Sequence, residues 1–80
     1  MAVIYVRTFD IASGAEVPGS GLRTGSPQAA IDQALELKRS YPEPGYLIKI
    51  LYTGSFVDDA FSELAQLAQQ HGLAFENGDG

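Results

Sequence analysis

The chain opens on a run that is apolar or β-branched almost throughout. Val3, Ile4, Tyr5, Val6, Thr8, Phe9 and Ile11 make Ala2 to Ile11 the pattern of a strand inside a sheet. Ser13-Gly14 is a turn signal. Ala15 to Thr24 continues as a poor strand, because Pro18 cannot donate to a ladder and Gly19 and Gly21 weaken one. The segment is therefore expected as an edge strand or a mobile hairpin arm.

The period changes at Ser26-Pro27, where Ser suits the N-cap and Pro the first helical position. Ala30, Ile31, Ala34, Leu35 and Leu37 form an apolar stripe, with Asp32, Gln33, Glu36 and Arg39 outside it. Tyr41-Pro42 ends this helix and Pro44-Gly45 turns the chain. Tyr46 to Thr53 is the clearest strand, with Ile48 and Ile50 on one side and Leu47, Lys49 and Leu51 on the other. After Gly54-Ser55 a second helix runs to about His71. Ser55 and Asp58 have the spacing of a capping box, and Val57, Ala60, Phe61, Leu64, Leu67 and Ala68 form the inward stripe. Gly72 stands where a left-handed C-cap residue belongs. Leu73 to Glu76 is expected as a short last strand, and Asn77 to Gly80 as a frayed tail.

The order β-β-α-β-α-β predicts an α+β domain over residues 1–76, followed by a tail over 77–80. Tyr46 to Glu76 has the length of a right-handed βαβ unit. One apolar stripe per helix lets both helices pack on one face of a four-stranded mixed sheet. The two most apolar strands, the first and third, belong at its centre. Ile4, Val6, Ile48 and Ile50 then face the helices. Tyr5, Arg7, Lys49, Val3, Phe9, Leu47 and Leu51 share the open face, with Arg23 beside them on the second strand.

Charge adds a second asymmetry. The first 49 residues hold all five basic side chains and five acidic ones; the remaining 31 hold five acids and no base, so the net charge of -5 comes from one end. Asp59 and Glu63, four apart, share a helix face with Asp58 beside them, and Glu76 and Asp79 extend the patch if the last strand lies near that helix. Asp58 and Asp59 also suit the helix dipole, which explains them without a partner. A pI near 4.5 opposes general attraction to nucleic acid or anionic lipid. No stretch has the ~20 apolar residues of a membrane span, and no leader pattern is expected.

Candidate chemistry is sparse. There is no Cys, so neither a thiolate nucleophile nor a Cys-type zinc site is expected, which fits a reducing cytosol. His71 is the single histidine, without a triad partner near in sequence. The glycines at 19, 21 and 25 do not match the dinucleotide fingerprint, and no P-loop Lys follows. Phe75 to Gly80 echoes a calcium loop but has Phe at the first ligand position. No catalytic residue, cofactor or metal is expected, nor an enzyme. Tyr5, Arg7 and Lys49 on an open sheet resemble a single-strand binding platform, against the wrong overall charge and without an RNP-type sequence. An apolar face of this kind fits a protein partner, or a second copy, better than water.

Thr24 to Leu35, leading into the strand that begins at Tyr46, resembles the helix-then-strand layout of several phage-encoded anti-CRISPR proteins that inhibit type I systems. The resemblance is one of architecture and acidity. It implies a non-enzymatic inhibitor that occupies a basic, nucleic-acid-binding surface of a CRISPR surveillance complex as a DNA mimic, in the host bacterial cytoplasm. On the charge pattern, Asp58, Asp59, Glu63, Glu76 and Asp79 are the expected partner-binding residues. The alternative is a small interaction module, monomer or homodimer, that docks a protein through the open sheet face.

Overall fold

The computed structural model describes residues 3–54 and 58–78. The elements are β1 (Val3–Asp10), β2 (Leu22–Thr24), α1 (Pro27–Ser40), β3 (Tyr46–Thr53), α2 (Asp59–Gln70) and β4 (Glu76–Gly78). They form one four-stranded sheet in the order β2-β1-β3-β4. β1 runs antiparallel to both β2 and β3, and β4 runs parallel to β3. This is the expected α+β architecture, with the two most apolar strands in the centre.

Both helices cover one sheet face. Ile4, Val6, Ile50 and Tyr52 from the sheet, Ala30, Ile31, Ala34 and Leu37 from α1, and Leu64 and Ala68 from α2 are all buried. Tyr52, Phe61 and Phe75 continue this core as two edge-to-face ring pairs with centroids 5.3 and 5.5 Å apart. Thr8 is also fully buried, and its Oγ1 has no hydrogen-bond partner among the described residues. A buried hydroxyl without a partner costs about 1–3 kcal/mol. Thr8→Val is therefore expected to raise the unfolding free energy by about 1 kcal/mol, read as a higher urea midpoint; a fall would show that the hydroxyl is satisfied.

The helix ends follow local chemistry. Ser26 caps α1, its Oγ accepting from Ala29 N at 3.3 Å, with Pro27 at the first position. At the end of α2, Gly72 adopts φ +68, Gly72 N donates to Gln69 O at 3.2 Å and Leu73 N to Ala68 O at 2.7 Å. These paired bonds make a Schellman motif, which requires the left-handed residue that glycine supplies.

Three expectations are corrected. The N-cap position of α2 is Asp58, three residues beyond the expected Ser55, and no side-chain cap bond forms there; Ser55 and Val57 lie outside the described residues. The strand expected over Ala15 to Thr24 shrinks to Leu22–Thr24 plus one bridge, Phe9 to Glu16. Pro18 and the glycines between them carry no ladder. That stretch is nevertheless anchored, with Ser20 buried, its Oγ donating to Val17 O at 2.7 Å and Gln33 Nε2 donating to Ser20 O at 3.5 Å. The last strand begins at Glu76 rather than ending there, so Asn77 and Gly78, expected in the tail, pair with Tyr52 and Thr53. Leu73 to Phe75 is spent descending from the helix layer to the sheet. Gly78 fits against β3 because a Cβ there would meet Leu51 Cδ1 at 2.8 Å.

Candidate functional site

Alternation along the central strands builds the uncovered face of the sheet. Val3, Tyr5, Arg7 and Phe9 stand opposite Thr53, Leu51, Lys49 and Leu47. The β1–β2 register adds Arg23 beside Tyr5, the single bridge adds Glu16 beside Phe9, and the parallel register adds Glu76 beside Leu51. Among the described residues the face thus carries three cations, Arg7, Arg23 and Lys49, and two acids, Glu16 and Glu76, in a chain whose net charge is -5.

Arg7 and Lys49 are directly opposite each other, a like-charge cross-strand pair that is unfavourable by itself. Each cation is turned onto an aromatic ring. The Arg7 guanidinium lies 5.2 Å from the Tyr5 centroid, and Lys49 Nζ lies 5.8 Å from that of Phe9. Lys49 Nζ also pairs with Glu76 at 3.6 Å. Both partners of that pair are half-exposed, so it orients the Lys more than it stabilises the fold. Leu47 remains 42% exposed at the end of the row. A concavity of about 190 Å³ opens between Tyr5, Arg7, Phe9, Lys49, Leu51 and Glu76.

The acidic residues do not share one surface. Asp59 and Glu63 are exposed on α2, four residues apart on one side of that helix, and neither has an ion pair among the described residues. Asp58 is turned inward enough for Tyr52 Oη to donate to its Oδ2 at 3.2 Å. Glu76 belongs to the open sheet face, across the sheet from both helices, and is held by Lys49. Asp79 lies outside the described residues. The sheet therefore separates Glu76 from the α2 acids, because β4 joins β3 in a register that points Glu76 the same way as Leu51. His71 sits exposed at the C-cap of α2.

The Tyr52–Asp58 contact ties the start of α2 to β3. Burial raises the Tyr52 phenol above its ordinary 10.0, and the hydrogen bond to Asp58 and the charge of Asp58 raise it further. The folded state then holds the phenolic proton more tightly than the unfolded chain does. The stability linked to this group is full below pH 10.0 and is lost as pH rises through the folded-state value. Urea midpoints of the wild type are expected to fall between pH 9 and 11, and those of Tyr52→Phe to fall less steeply. Equal slopes would remove Tyr52 as the group responsible.

No described helix is long and apolar enough to cross a membrane. Comparison with protein-family models, curated proteins and solved structures gives no match.

Proposed function

We propose that this chain is a non-enzymatic protein-binding domain whose contact surface is the open face of the sheet. The supporting observation is the composition of that face. Tyr5 with Leu51 and Phe9 with Leu47 form two apolar pairs on the central strands that flank the Arg7–Lys49 pair, and Arg23 joins these cations in an otherwise acidic molecule. Aromatic rings and arginines on rigid strands are the residue types that dominate binding energy at protein interfaces. The sign of the charge selects a partner surface that mixes carboxylates with apolar side chains.

The variant Arg7→Glu with Leu47→Asp tests this reading. Glu at position 7 faces Lys49 and replaces a repulsion by an attraction, so the fold is retained. Quantitative affinity capture is expected to lose specific partners with this variant and keep them with Asp59→Lys plus Glu63→Lys. Capture that is unchanged by the sheet-face variant overturns the proposal.

A second reading rests on Asp59 and Glu63, which are exposed and without an ion pair among the described residues. It is the function implied by the resemblance to anti-CRISPR inhibitors: carboxylates on α2 competing with phosphate for the Lys and Arg of a nucleic-acid-binding surface. Its outcome in the same experiment is the reverse, with partners lost on charge reversal at 59 and 63 and retained by the sheet-face variant.

A further inference from the structure

Three backbone bonds give the phase of the whole ladder. Asp10 N donates to Ala15 O at 2.9 Å and Val17 N to Thr8 O at 2.8 Å, so even-numbered residues of β1 address the β2 side. Ile11 N donates to Gly45 O at 3.1 Å, so odd-numbered residues address β3. In an antiparallel pair, bonded and non-bonded positions alternate. With Phe9 opposite Leu47 and Arg7 opposite Lys49, the backbone groups of Leu47, Lys49 and Leu51 are bonded to β1. Those of Tyr46, Ile48 and Ile50 point to the other edge.

That edge is only partly occupied. β4 stands beside Leu51, Tyr52 and Thr53, and in the phase just given its parallel ladder reaches back only as far as the Ile50 carbonyl. Among the described residues no backbone hydrogen bond joins Tyr46 or Ile48 to the connection of residues 72–75. β1 differs, since its outer edge is bonded from Ile4 to Asp10 by β2, Val17 and Ala15. The first half of a central strand is thus left with the backbone groups of Tyr46 and Ile48 and the N–H of Ile50 unpaired beside a trough. The trough, about 200 Å³, lies along the edge itself between Leu47, Ile48, Lys49, Ala74, Phe75 and Glu76. A second cleft of about 170 Å³ opens above it on the helix side, between Lys38, Tyr41, Tyr46, Ile48 and Leu73.

We propose that the free edge of β3 from Tyr46 to the Ile50 N–H accepts an extended peptide from a partner protein as an additional strand. Strand addition takes its affinity from main-chain bonds and its selectivity from alternate side-chain pockets, and both are present. Alternate residues of the peptide would enter the helix-side cleft, where Tyr41, Tyr46, Ile48 and Leu73 favour an aliphatic side chain. The intervening residues would lie beside Leu47 and the Lys49–Glu76 pair, where a polar side chain is favoured. A second copy of this chain is a poorer occupant. The open stretch is bounded by β4 at one end and by the turn at Gly45 at the other. In an antiparallel β3-to-β3 pairing centred on Ile48, each copy's residues before Tyr46 would run into the other copy's β4. The proposal shares with the preceding one that the partner is a protein and that Leu47 and Lys49 lie at the boundary, but it uses the backbone edge of β3 rather than the open face.

The test is selection of a random octapeptide display library on the immobilised chain, with Ile48→Pro as the control. Proline at 48 removes an outward N–H and leaves the β1 ladder intact, as edge strands tolerate. Enriched peptides are expected to alternate aliphatic and polar residues and to bind Ile48→Pro about tenfold more weakly or worse. Methylating their alternate amide nitrogens is expected to abolish binding to the wild type, a readout that stands if the proline variant fails to fold. No enrichment, or enriched peptides indifferent to N-methylation, overturns the proposal. A dimer in sedimentation with its Ile48 amide protected from exchange also overturns it, in favour of a second copy. The sheet-face variant Arg7→Glu with Arg23→Glu, neither of which lines the trough or the helix-side cleft, should leave capture by an N-methyl-sensitive peptide measurable, which separates this site from the open face.

Discussion

Leu64→Ala is expected to cost about 3 kcal/mol of folding stability, within the range for a leucine truncated in a core that relaxes only partly. Leu64 is fully buried, and with Ala68 it is one of the two buried residues of α2. The other inward residues of that helix, Ala60, Phe61 and Leu67, are only partly covered. A domain of 80 residues has roughly 4–12 kcal/mol in total, on the usual per-residue scale. The single truncation therefore removes a quarter or more of it. Leu67→Ala, on the half-covered flank of the same helix, should cost less than half as much. Urea denaturation reads both, as a shift of the midpoint at unchanged slope. A Leu64→Ala variant within 1 kcal/mol of the wild type would mean that α2 is held to the sheet by its aromatic contacts, Phe61 to Tyr52 and Phe61 to Phe75, and not by Leu64.

The helices and the central strands could be read from the residues because each carries one period and one cap that agree. Ser26-Pro27 starts α1 and Gly72 ends α2 as expected, and Ile4, Val6 and Ile50 face inward as alternation requires. The same alternation, carried two residues further on each strand, places Thr8 and Tyr52 inside, where both are fully buried. Their hydroxyls are the signal that pattern reading discounts. Two kinds of information were out of reach. Strand register depends on contacts between distant segments, so the position of β4 along β3 could not be obtained from Leu73 to Gly78 alone. Glu76 consequently moved from the acidic helix to the opposite face of the sheet, beside Lys49. The second is the phase of the β1–β3 ladder, which decides which half of the backbone groups of β3 are left over. No residue type encodes it, because every residue carries the same donor and acceptor.

Proline at Leu47 and proline at Ile48 should have opposite consequences, although the two positions are adjacent and both lie in a central strand. Leu47 stands opposite Phe9 at a bonded position, so its N–H belongs to the β1–β3 ladder. Removing it from a ladder between two central strands, one pair from its end, and forcing the proline ring against the neighbouring strand, is expected to cost about 3 kcal/mol and to leave little folded protein. The side chain itself contributes little to that loss, since Leu47 is 42% exposed. Ile48 stands opposite Thr8 at a non-bonded position, with its N–H directed to the open edge. Proline there loses part of a half-buried side chain and no ladder bond, so the variant should retain a cooperative unfolding transition with a lowered midpoint. Amide exchange in the wild type offers the same contrast without a mutation. The Leu47 and Lys49 amides should exchange at the rate of global unfolding, and the Ile48 amide many times faster. Reversed behaviour, with Leu47→Pro folded and Ile48→Pro unfolded, would place the free donors on the β1 side and leave no edge for a partner strand to join.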